Sequence, residues 1–425
     1  MSKSIPHATS HVPSNTRATG RRAIIIGGSM AGLFAALMLR RAGWDAHVYE
    51  RIGSELSGRG AGIVTHQELF DILKLCGVDS EAARVGVYVS GRRVFARDGS
   101  LSGELPLEQI VTSWGHLYGL LRQTFPSAAY HHGRNLLRVE EQADAVVAHF
   151  EDGSSETADL LIGADGIFSS VRAQFAPQAK PSYVGYIAWR GLVAESALSP
   201  GTRADLCDHF AFSLPPGEQM LGYPVAGLNE AMAKGERRFN FVWYRAAEAQ
   251  TTLREMLTDV DGVEHDLSIP PNKIRPELIA ELRAVAAATL APQFAEVVAR
   301  TAQPFIQVIQ DLQTSRMALG ARTVILGDAA FVARPHVGMG VTKAASDAVA
   351  LVAALERTGG DIPRALVDFD RERMAYGAAV VRRARQLGSY MQPQPLSAED
   401  RVHAERHRQP AAIMAETAVA TGIAA

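Results

Sequence analysis

The patterned part of the chain opens with a short apolar run, Arg22–Ile26, which is rich in β-branched residues. Such a run is typical of a strand buried on both faces. Glycines follow at once, and then Ala31–Arg41, which consists of strong helix formers without proline. A second strand-like run spans Asp45–Glu50. The pattern predicts a strand, a tight turn, a helix and a second strand, as at the start of a parallel α/β fold.

Helical and strand-like patterns alternate through Arg22–Arg172, which is consistent with an α/β domain. Val146–Phe150 and Thr157–Ile162 predict a hairpin around Asp152-Gly153, because Asp-Gly is a strong turn signal between β-rich runs. Pro177–Trp243 differs in its aromatic residues and short alternating runs. It predicts an antiparallel sheet.

The last third of the chain is mostly helical in pattern. Glu277–Arg300 predicts two amphipathic helices that are separated near Ala291-Pro292, and Thr323–Leu326 predicts another buried strand. Two long helices are expected over Val341–Leu355 and Pro363–Leu387. Beyond them, residues 392–425 are rich in alanine with prolines and charges, and predict a loose helix on the surface.

Composition narrows the classes of protein. A chain of 425 residues with 47% hydrophobic residues can bury a large core and is expected to form two domains. Its 43 basic and 45 acidic residues are nearly balanced, which gives no support for a nucleic-acid or membrane partner. Cys76 and Cys207 are the only cysteines, so we expect a cytoplasmic protein without a cysteine metal cluster, and we expect no metal.

The N-terminal region allows a second interpretation. Arg21-Arg22 followed by Ala23–Leu39 could also be a twin-arginine signal or a membrane anchor, because the apolar run nearly reaches the length of a span. Against this, Arg40-Arg41 ends the run and a new strand follows. Residues 1–20 are polar without a helical period and predict a disordered leader.

The turn after the first strand is a candidate phosphate site. Its sequence is Gly27-Gly28-Ser29-Met30-Ala31-Gly32. Helix N-terminal N–H groups and the helix dipole favour a negative charge there, and a pyrophosphate fits that place. Glu50 ends the next strand, where a dinucleotide fold places the acid that binds ribose hydroxyls, and Arg51 follows it. Ser29 replaces the middle glycine of the usual G-x-G-x-x-G pattern.

Two later turns complete the set of motifs. Gly163-Ala164-Asp165-Gly166 follows a predicted strand, and its backbone can approach a phosphate or ribose. Arg172, a few residues on, either braces this turn or contacts a ligand. Gly327-Asp328 also follows a buried strand. Asp328 either binds ligand hydroxyls or caps the next helix.

In this order, the three motifs resemble those of the class A flavoprotein monooxygenases. The resemblance runs from about Arg22 to Leu387 and includes Val324–Asp347. Trp189-Arg190-Gly191 matches the strand that opens the substrate domain in one branch, and Arg334-Pro335-His336 favours the branch that acts on pyridines.

The resemblance implies an α/β fold, with a Rossmann-type FAD-binding domain, an interleaved substrate domain on an antiparallel sheet, and C-terminal helices. We expect 21–75, 109–175 and 301–390 to form the FAD-binding domain. Residues 76–108 and 176–300 would form the substrate domain, and 391–425 a C-terminal tail. The N-terminus of the helix after Gly338-Met339-Gly340 would lie under the flavin's pyrimidine ring, where its dipole stabilises the reduced, anionic flavin.

The implied activity is hydroxylation of a small electron-rich aromatic ring with FAD, O₂ and either NADH or NADPH. A hydroxylated N-heteroaromatic, such as a dihydroxypyridine, is the expected substrate. A salicylate-type or other phenolic hydroxylase would share all three motifs. A flavin-binding redox sensor without turnover is the alternative from another class. The resemblance is compatible with a homodimer.

Four residues are candidates for the reaction itself. The resemblance places the Pro335 carbonyl near the reacting ring, while Gln219 and Tyr223 lie on a strand expected to face the flavin. Glutamine is a poor base near neutral pH, so His336 or water would take the substrate's proton, unless His336 only bonds the loop. No arginine stands clearly in the strand of Tyr223, which disfavours benzoate-type substrates that need a carboxylate clamp.

Overall fold

The computed structural model describes residues 20–56, 62–81, 85–391 and 397–420. The predicted leader, apart from Gly20, lies outside these residues. Among the helices of the described ranges, none combines the length and the apolar character that crossing a bilayer requires.

The strands of the described ranges are β1 (Arg22–Ile26), β2 (Asp45–Glu50), β3 (Gly62–Val64), β4 (Val87–Val89), β5 (Arg92–Phe95), β6 (Leu101–Leu105), β7 (Gln109–Ser113), β8 (Tyr130–His132), β9 (Leu136–Glu141), β10 (Val146–Phe150), β11 (Ser155–Ala158), β12 (Leu160–Gly163), β13 (Ser182–Ala194), β14 (Phe210–Ser213), β15 (Gln219–Val225), β16 (Arg238–Ala246), β17 (Phe305–Gln313), β18 (Thr323–Ile325) and β19 (Phe331–Val332). Their α-helices are α1 (Met30–Arg41), α2 (Gln67–Leu75), α3 (Trp114–Thr124), α4 (Ser170–Phe175), α5 (Pro200–Leu206), α6 (Thr252–Leu257), α7 (Pro276–Thr289), α8 (Pro292–Arg300), α9 (Gly340–Arg357), α10 (Ile362–Gly388), α11 (Ala398–His407) and α12 (Pro410–Glu416).

A five-stranded parallel sheet forms the first layer, in the order β18-β12-β1-β2-β8. Its central strands β1 and β12 are apolar and buried on both faces, and α1 packs against α9 over the sheet. The predicted strand, turn, helix and strand at the N-terminal end are confirmed, and the helix begins at Met30. The α/β, Rossmann-type fold is likewise confirmed.

One strand assignment is wrong. Thr157–Ile162 is not a single strand: β10 pairs with β11 as the hairpin, whereas β12 belongs to the parallel sheet. The break falls at Asp159, whose Oδ2 atom accepts a hydrogen bond from the Arg22 N–H at 2.8 Å. This carboxylate ties the chain to β1, so the residues after it join the parallel sheet.

An eight-stranded sheet, mostly antiparallel, forms the second layer in the order β19-β17-β13-β16-β15-β14-β5-β6. The prediction of an antiparallel sheet over 177–243 is confirmed. The sheet is larger than predicted, because β17, which the expected boundaries assign to the FAD-binding segments, pairs with β13. Helices α7 and α8 cover one face, where Trp189 and Trp243 are buried. The other face, which includes Tyr186 and Tyr223, packs with the three-stranded sheet β3-β7-β4 and with the C-terminal segment.

The C-terminal segment packs more closely than its sequence suggested. The two long helices are confirmed as α9 and α10. The segment 397–420 is helical, as expected, but it forms two helices, α11 and α12; α11 is largely exposed, whereas α12 packs against the protein, which was not expected. Met414 and Ala418 are buried, and the fully buried Arg92 donates from Nη1 to the carbonyl oxygens of Met414 (2.7 Å) and Thr417 (2.6 Å). These bonds fix the end of α12 against β5.

Candidate active site

A groove of about 590 Å³ crosses the carboxyl ends of β1, β12 and β18. In open parallel sheets this edge is the usual place for a ligand. The groove brings together most of the predicted cofactor residues: Gly27, Ser29, Met30, Ala31, Glu50, Arg51, Asp165, Asp328 and Gly340. Gly32 and Gly338 do not line it.

Glycine is required in the first turn for steric reasons. Gly27 has φ 102°, and a Cβ there would lie 2.4 Å from the Ala164 carbonyl oxygen. A Cβ on Gly32 would lie 1.9 Å from the Gly27 carbonyl oxygen. The absence of a side chain at both glycines therefore lets the N-terminus of α1 pack closely against β1 and the turn after β12. Ser29, at the N-cap, has extended backbone angles (φ −82°, ψ −164°), so the pattern tolerates a serine there.

Glu50 is buried, and both of its oxygens hold the first turn and the next loop. Oε2 accepts from the Gly28 N–H at 2.8 Å, and Oε1 accepts from the Ile52 N–H at 2.9 Å. Each carboxylate oxygen can accept a second hydrogen bond. Glu50 therefore fixes the loop and still presents acceptor capacity to the groove.

Asp165 and Arg172 have different roles in the second turn. Asp165 Oδ2 accepts from the Ser170 N–H at 2.7 Å, while its Oδ1 is buried without a partner among the described residues. Burial raises the pKa of Asp165. Arg172 donates to the carbonyl oxygens of Ile167 and Ala329, which ties the second turn to the third. Arg172 thus braces the turn, and Asp165 Oδ1 is free for a ligand hydroxyl.

Asp328 stands where the groove meets a second cavity. Its side chain is exposed to both, yet the surrounding walls still desolvate it and raise its pKa, against the opposing effect of Lys343. It makes no side-chain hydrogen bond to another described residue, so the helix-cap alternative is wrong. The turn is held instead by Asp347, whose Oδ2 accepts from the Gly327 N–H at 3.0 Å.

The second cavity has a volume of about 290 Å³ and lies between the eight-stranded sheet and the start of α9. It adjoins the groove at Ile167, Asp328 and Gly340. Its sheet wall includes Arg190, Phe210, Leu221, Tyr223, Val242, Tyr244 and the β17 residues Gln307, Val308, Ile309 and Gln310. The opposite walls include Gly62, Ile63, Val64, Arg334, Pro335, Gly338, Met339, Val341, Thr417 and Ala418.

Two of the predicted reaction residues, Tyr223 and Pro335, line this cavity. Burial raises the pKa of Tyr223 to about 12, although the nearby Arg190 opposes the shift. The phenol therefore stays protonated near neutral pH and can donate a hydrogen bond. Gly338, predicted to contact the flavin, lies against the C-terminal segment: its φ is 65°, and a Cβ there would be 2.8 Å from the Ala418 Cβ.

The structure does not bring Gln219 or His336 into the cavity. Gln219 is buried at the start of β15. His336 is also buried, with its Nε2 atom 3.0 Å from the Tyr186 hydroxyl and its ring centroid 4.1 Å from that of Tyr244, at an interplanar angle of 51°. Burial, assisted by Arg334, lowers the pKa of His336 to about 3. The imidazole is thus neutral and hydrogen-bonded behind the cavity wall.

Sequence reasoning missed Arg190, Gln307 and the C-terminal residues Thr417 and Ala418. The expectation that no arginine contacts the substrate was based only on the strand that contains Tyr223. Arg190 reaches the cavity from another strand, β13. Strand alternation was the available signal, because neighbouring side chains point to opposite faces. Trp189 packs among the helices on one face, so Arg190 must project from the other, toward the cavity. No comparable signal marks the C-terminal segment.

The groove fits a flavin dinucleotide. The uncapped N-termini of α1 and α9 offer N–H donors and positive dipole ends. Glu50, Asp165 and Asp328 offer carboxylate acceptors at intervals along it. The second cavity adjoins the end of the groove that carries α9, and so can hold a small molecule next to a dinucleotide bound in the groove.

Comparisons with known proteins agree with this geometry. Residues 183–311 match the family model described as FAD binding domain-like. The 2,6-dihydroxypyridine 3-monooxygenase of Paenarthrobacter nicotinovorans is 33% identical over 379 residues, which cover 88% of this chain and 92% of the relative. The 3-amino-4-hydroxybenzoate 2-monooxygenase of Streptomyces cremeus is 32% identical and covers 86% of each chain. The solved structure of 2,6-dihydroxypyridine-3-hydroxylase from Arthrobacter nicotinovorans superposes with a TM-score of 0.82 at 31% identity, over 88% of this chain and 93% of that one.

Proposed function

The chain belongs to the class A FAD-dependent aromatic monooxygenases, and we propose that it hydroxylates a small hydroxypyridine, such as 2,6-dihydroxypyridine, at a carbon ortho to a ring hydroxyl. The enzyme class and the FAD cofactor follow from the family, which leaves no support for a redox sensor without turnover. NADH or NADPH is the reductant, as is typical of these enzymes.

The observation that carries the proposal is the one-ring cavity beside the groove, in a chain related along most of its length to a dihydroxypyridine monooxygenase. An apolar cavity of about 150 Å³ is enough to hold benzene. The cavity of about 290 Å³ therefore suits one ring with polar substituents. Its apolar walls, including Phe210 and Val242, exclude water from the ring.

When FAD is bound, it supplies two-electron reduction by NAD(P)H and the activation of O₂. The residues of the chain bind and orient the cofactor and the substrate. The N-terminus of α9 favours negative charge at the junction of groove and cavity. The protonated Tyr223 hydroxyl donates a hydrogen bond to an oxygen or nitrogen of the substrate ring and fixes the orientation of the ring. Because His336 lies outside the cavity with its pKa near 3, we assign the acceptance of the substrate's hydroxyl proton to water rather than to His336.

A phenolic acid is the second candidate substrate. Arg190 in the cavity removes the objection that a carboxylate clamp is missing, and one relative is a 3-amino-4-hydroxybenzoate 2-monooxygenase. The two candidates share the fold, the cofactor and the type of reaction, and differ in the ring.

The test is a panel of 2,6-dihydroxypyridine, 2-hydroxypyridine, salicylate and 4-hydroxybenzoate with the FAD-loaded enzyme. NADH and NADPH oxidation, oxygen uptake and hydroxylated product are measured together. We expect a hydroxypyridine to stimulate oxidation with product formed in step. Coupled product from salicylate or 4-hydroxybenzoate, with none from the pyridines, would overturn the pyridine assignment.

A further inference from the structure

Arg190 faces the substrate cavity without a compensating carboxylate. Its Nη1 atom donates to Gln307 Oε1 at 2.7 Å. Within the part of the chain that the structure describes, no aspartate or glutamate oxygen pairs with its guanidinium, and its Nε atom is buried without a partner. Gln307 is neutral, so it fixes the position of the guanidinium and leaves its charge uncompensated.

The other arginine of the cavity provides a contrast. Arg334 is buried and bound to Asp311 through both Nε and Nη2, the shortest contact being 2.8 Å from Nη2 to Oδ2. Arg334 therefore has a carboxylate partner within the protein, although Asp311 also accepts a hydrogen bond from Arg385 Nε at 3.0 Å. Asp328, the carboxylate at the groove end of the cavity, forms no ion pair with Arg190.

The tyrosines beside Arg190 do not supply the missing charge. Burial raises the pKa of Tyr223 to about 12 and that of Tyr244 further, even though Arg190 acts to lower both. Both phenols are thus neutral near pH 7. A half-buried cation among aromatic and apolar side chains is costly to desolvate unless an anion accompanies it.

We propose that Arg190 binds an anionic oxygen substituent on the aromatic ring of the substrate, either a carboxylate or an ionised ring hydroxyl. This inference rests on the proposed function, since it concerns the ring bound in the same cavity. Gln307 holds the guanidinium, and Arg190 in turn orients the ring by its charged substituent. Arg190 thereby selects anionic over neutral rings of the same size.

The experiment measures binding rather than turnover. The oxidised, FAD-loaded enzyme is titrated without NAD(P)H, and the perturbation of the flavin spectrum gives the Kd. The ligands are 6-hydroxypyridine-3-carboxylate, 2,6-dihydroxypyridine and the parent 2-hydroxypyridine. The first carries a carboxylate, the second an additional ionisable hydroxyl, and the third neither. The variants are Arg190→Met and Arg190→Lys, with Arg245→Met as the control, because Arg245 lies on the same sheet but outside the cavity.

We expect Arg190→Met to raise the Kd of at least one anionic ring by about 10- to 100-fold, the loss for a hydrogen bond to a charged group. The Kd of 2-hydroxypyridine should change less than about threefold by the same comparison. Arg190→Lys should keep part of the preference, and Arg245→Met should change nothing. Whichever anionic ring is affected distinguishes the carboxylate from the ionised hydroxyl.

Equal weakening of neutral and anionic rings, or no binding of either anionic ring to the wild type, would overturn the assignment of Arg190. The results that would contradict the proposed function differ from those that would contradict the assignment of Arg190. If the anionic rings bind through Arg190 but no hydroxypyridine is turned over, the anion site stands and the pyridine reaction does not. If a hydroxypyridine is turned over and Arg190→Met leaves the preference unchanged, only the inference about Arg190 fails.

Discussion

The flavin groove and the substrate cavity share a border at Asp328 but are built in different ways. Short stretches of backbone at the ends of three parallel strands form much of the groove, and each stretch is contiguous in sequence. The cavity is formed by side chains from one sheet face, the loop before α9 and the C-terminal segment. The groove's parts are therefore visible in a single sequence, whereas the cavity's parts become neighbours only after folding.

The largest effect that we expect is on the affinity of the groove for FAD. Asp328→Ala should raise the Kd of FAD by about 10- to 150-fold, because a carboxylate that accepts from ligand hydroxyls contributes about 1.5–3 kcal/mol. Flavin fluorescence on titration with FAD measures this. Asp266→Ala removes an exposed carboxylate far from the groove and should leave the Kd unchanged. Unchanged affinity in Asp328→Ala would mean that the groove holds FAD without this side chain.

The groove could be predicted from the sequence to a larger extent than the cavity. The turns at Gly27, Asp165 and Asp328 could be located because each is fixed by steric needs of the residues next to it. To predict whether Arg190 and His336 lie in the cavity, one must also know which face of a strand meets the cavity and which side of a loop is buried. Those facts depend on pairing between distant strands. His336 follows Pro335 directly, yet only Pro335 lines the cavity.

The second prediction tests the part of the cavity that is most remote in sequence. Arg92→Met would leave the carbonyl oxygens of Met414 and Thr417 without their buried donor, at a cost of about 1–3 kcal/mol for an unsatisfied buried group. Burial lowers the pKa of Arg92 to about 10, so the side chain is still a cation near neutral pH. We expect faster hydrogen exchange over residues 410–418 and less product per NAD(P)H oxidised, because water reaches the ring.

Arg93→Met is the matched control for this prediction. Arg93 is the next residue on β5, but it pairs with Glu104 near the surface rather than with the C-terminal segment. Neither exchange nor coupling should change in this variant. If Arg92→Met speeds exchange without lowering the yield of product, the segment lines the cavity but does not seal it.

The smallest effect near neutral pH is expected behind the cavity wall, at His336. Its pKa of about 3 lies below the ordinary value near 6.5, so the unfolded chain binds the proton more readily. The neutral imidazole therefore contributes stability that is fully present above pH 6.5 and falls by about 1.4 kcal/mol per pH unit below it, until about pH 3. His336→Gln removes this titration but can still hydrogen-bond Tyr186. Between pH 6.5 and 5 the variant should lose about 2 kcal/mol less stability than the wild type in urea unfolding.

The pH profile of kcat/KM decides between this structural role and the catalytic one suggested by sequence. In His336→Gln the profile near neutral pH should match the wild type, because the imidazole neither lines the cavity nor titrates there. His403→Gln, on the surface of α11, controls for loss of a histidine as such. Loss of an ionisation from the profile in His336→Gln alone would show that the imidazole takes a proton during turnover. The cavity would then extend past Pro335 when the ring is bound, and its chemistry would be as local in sequence as that of the groove.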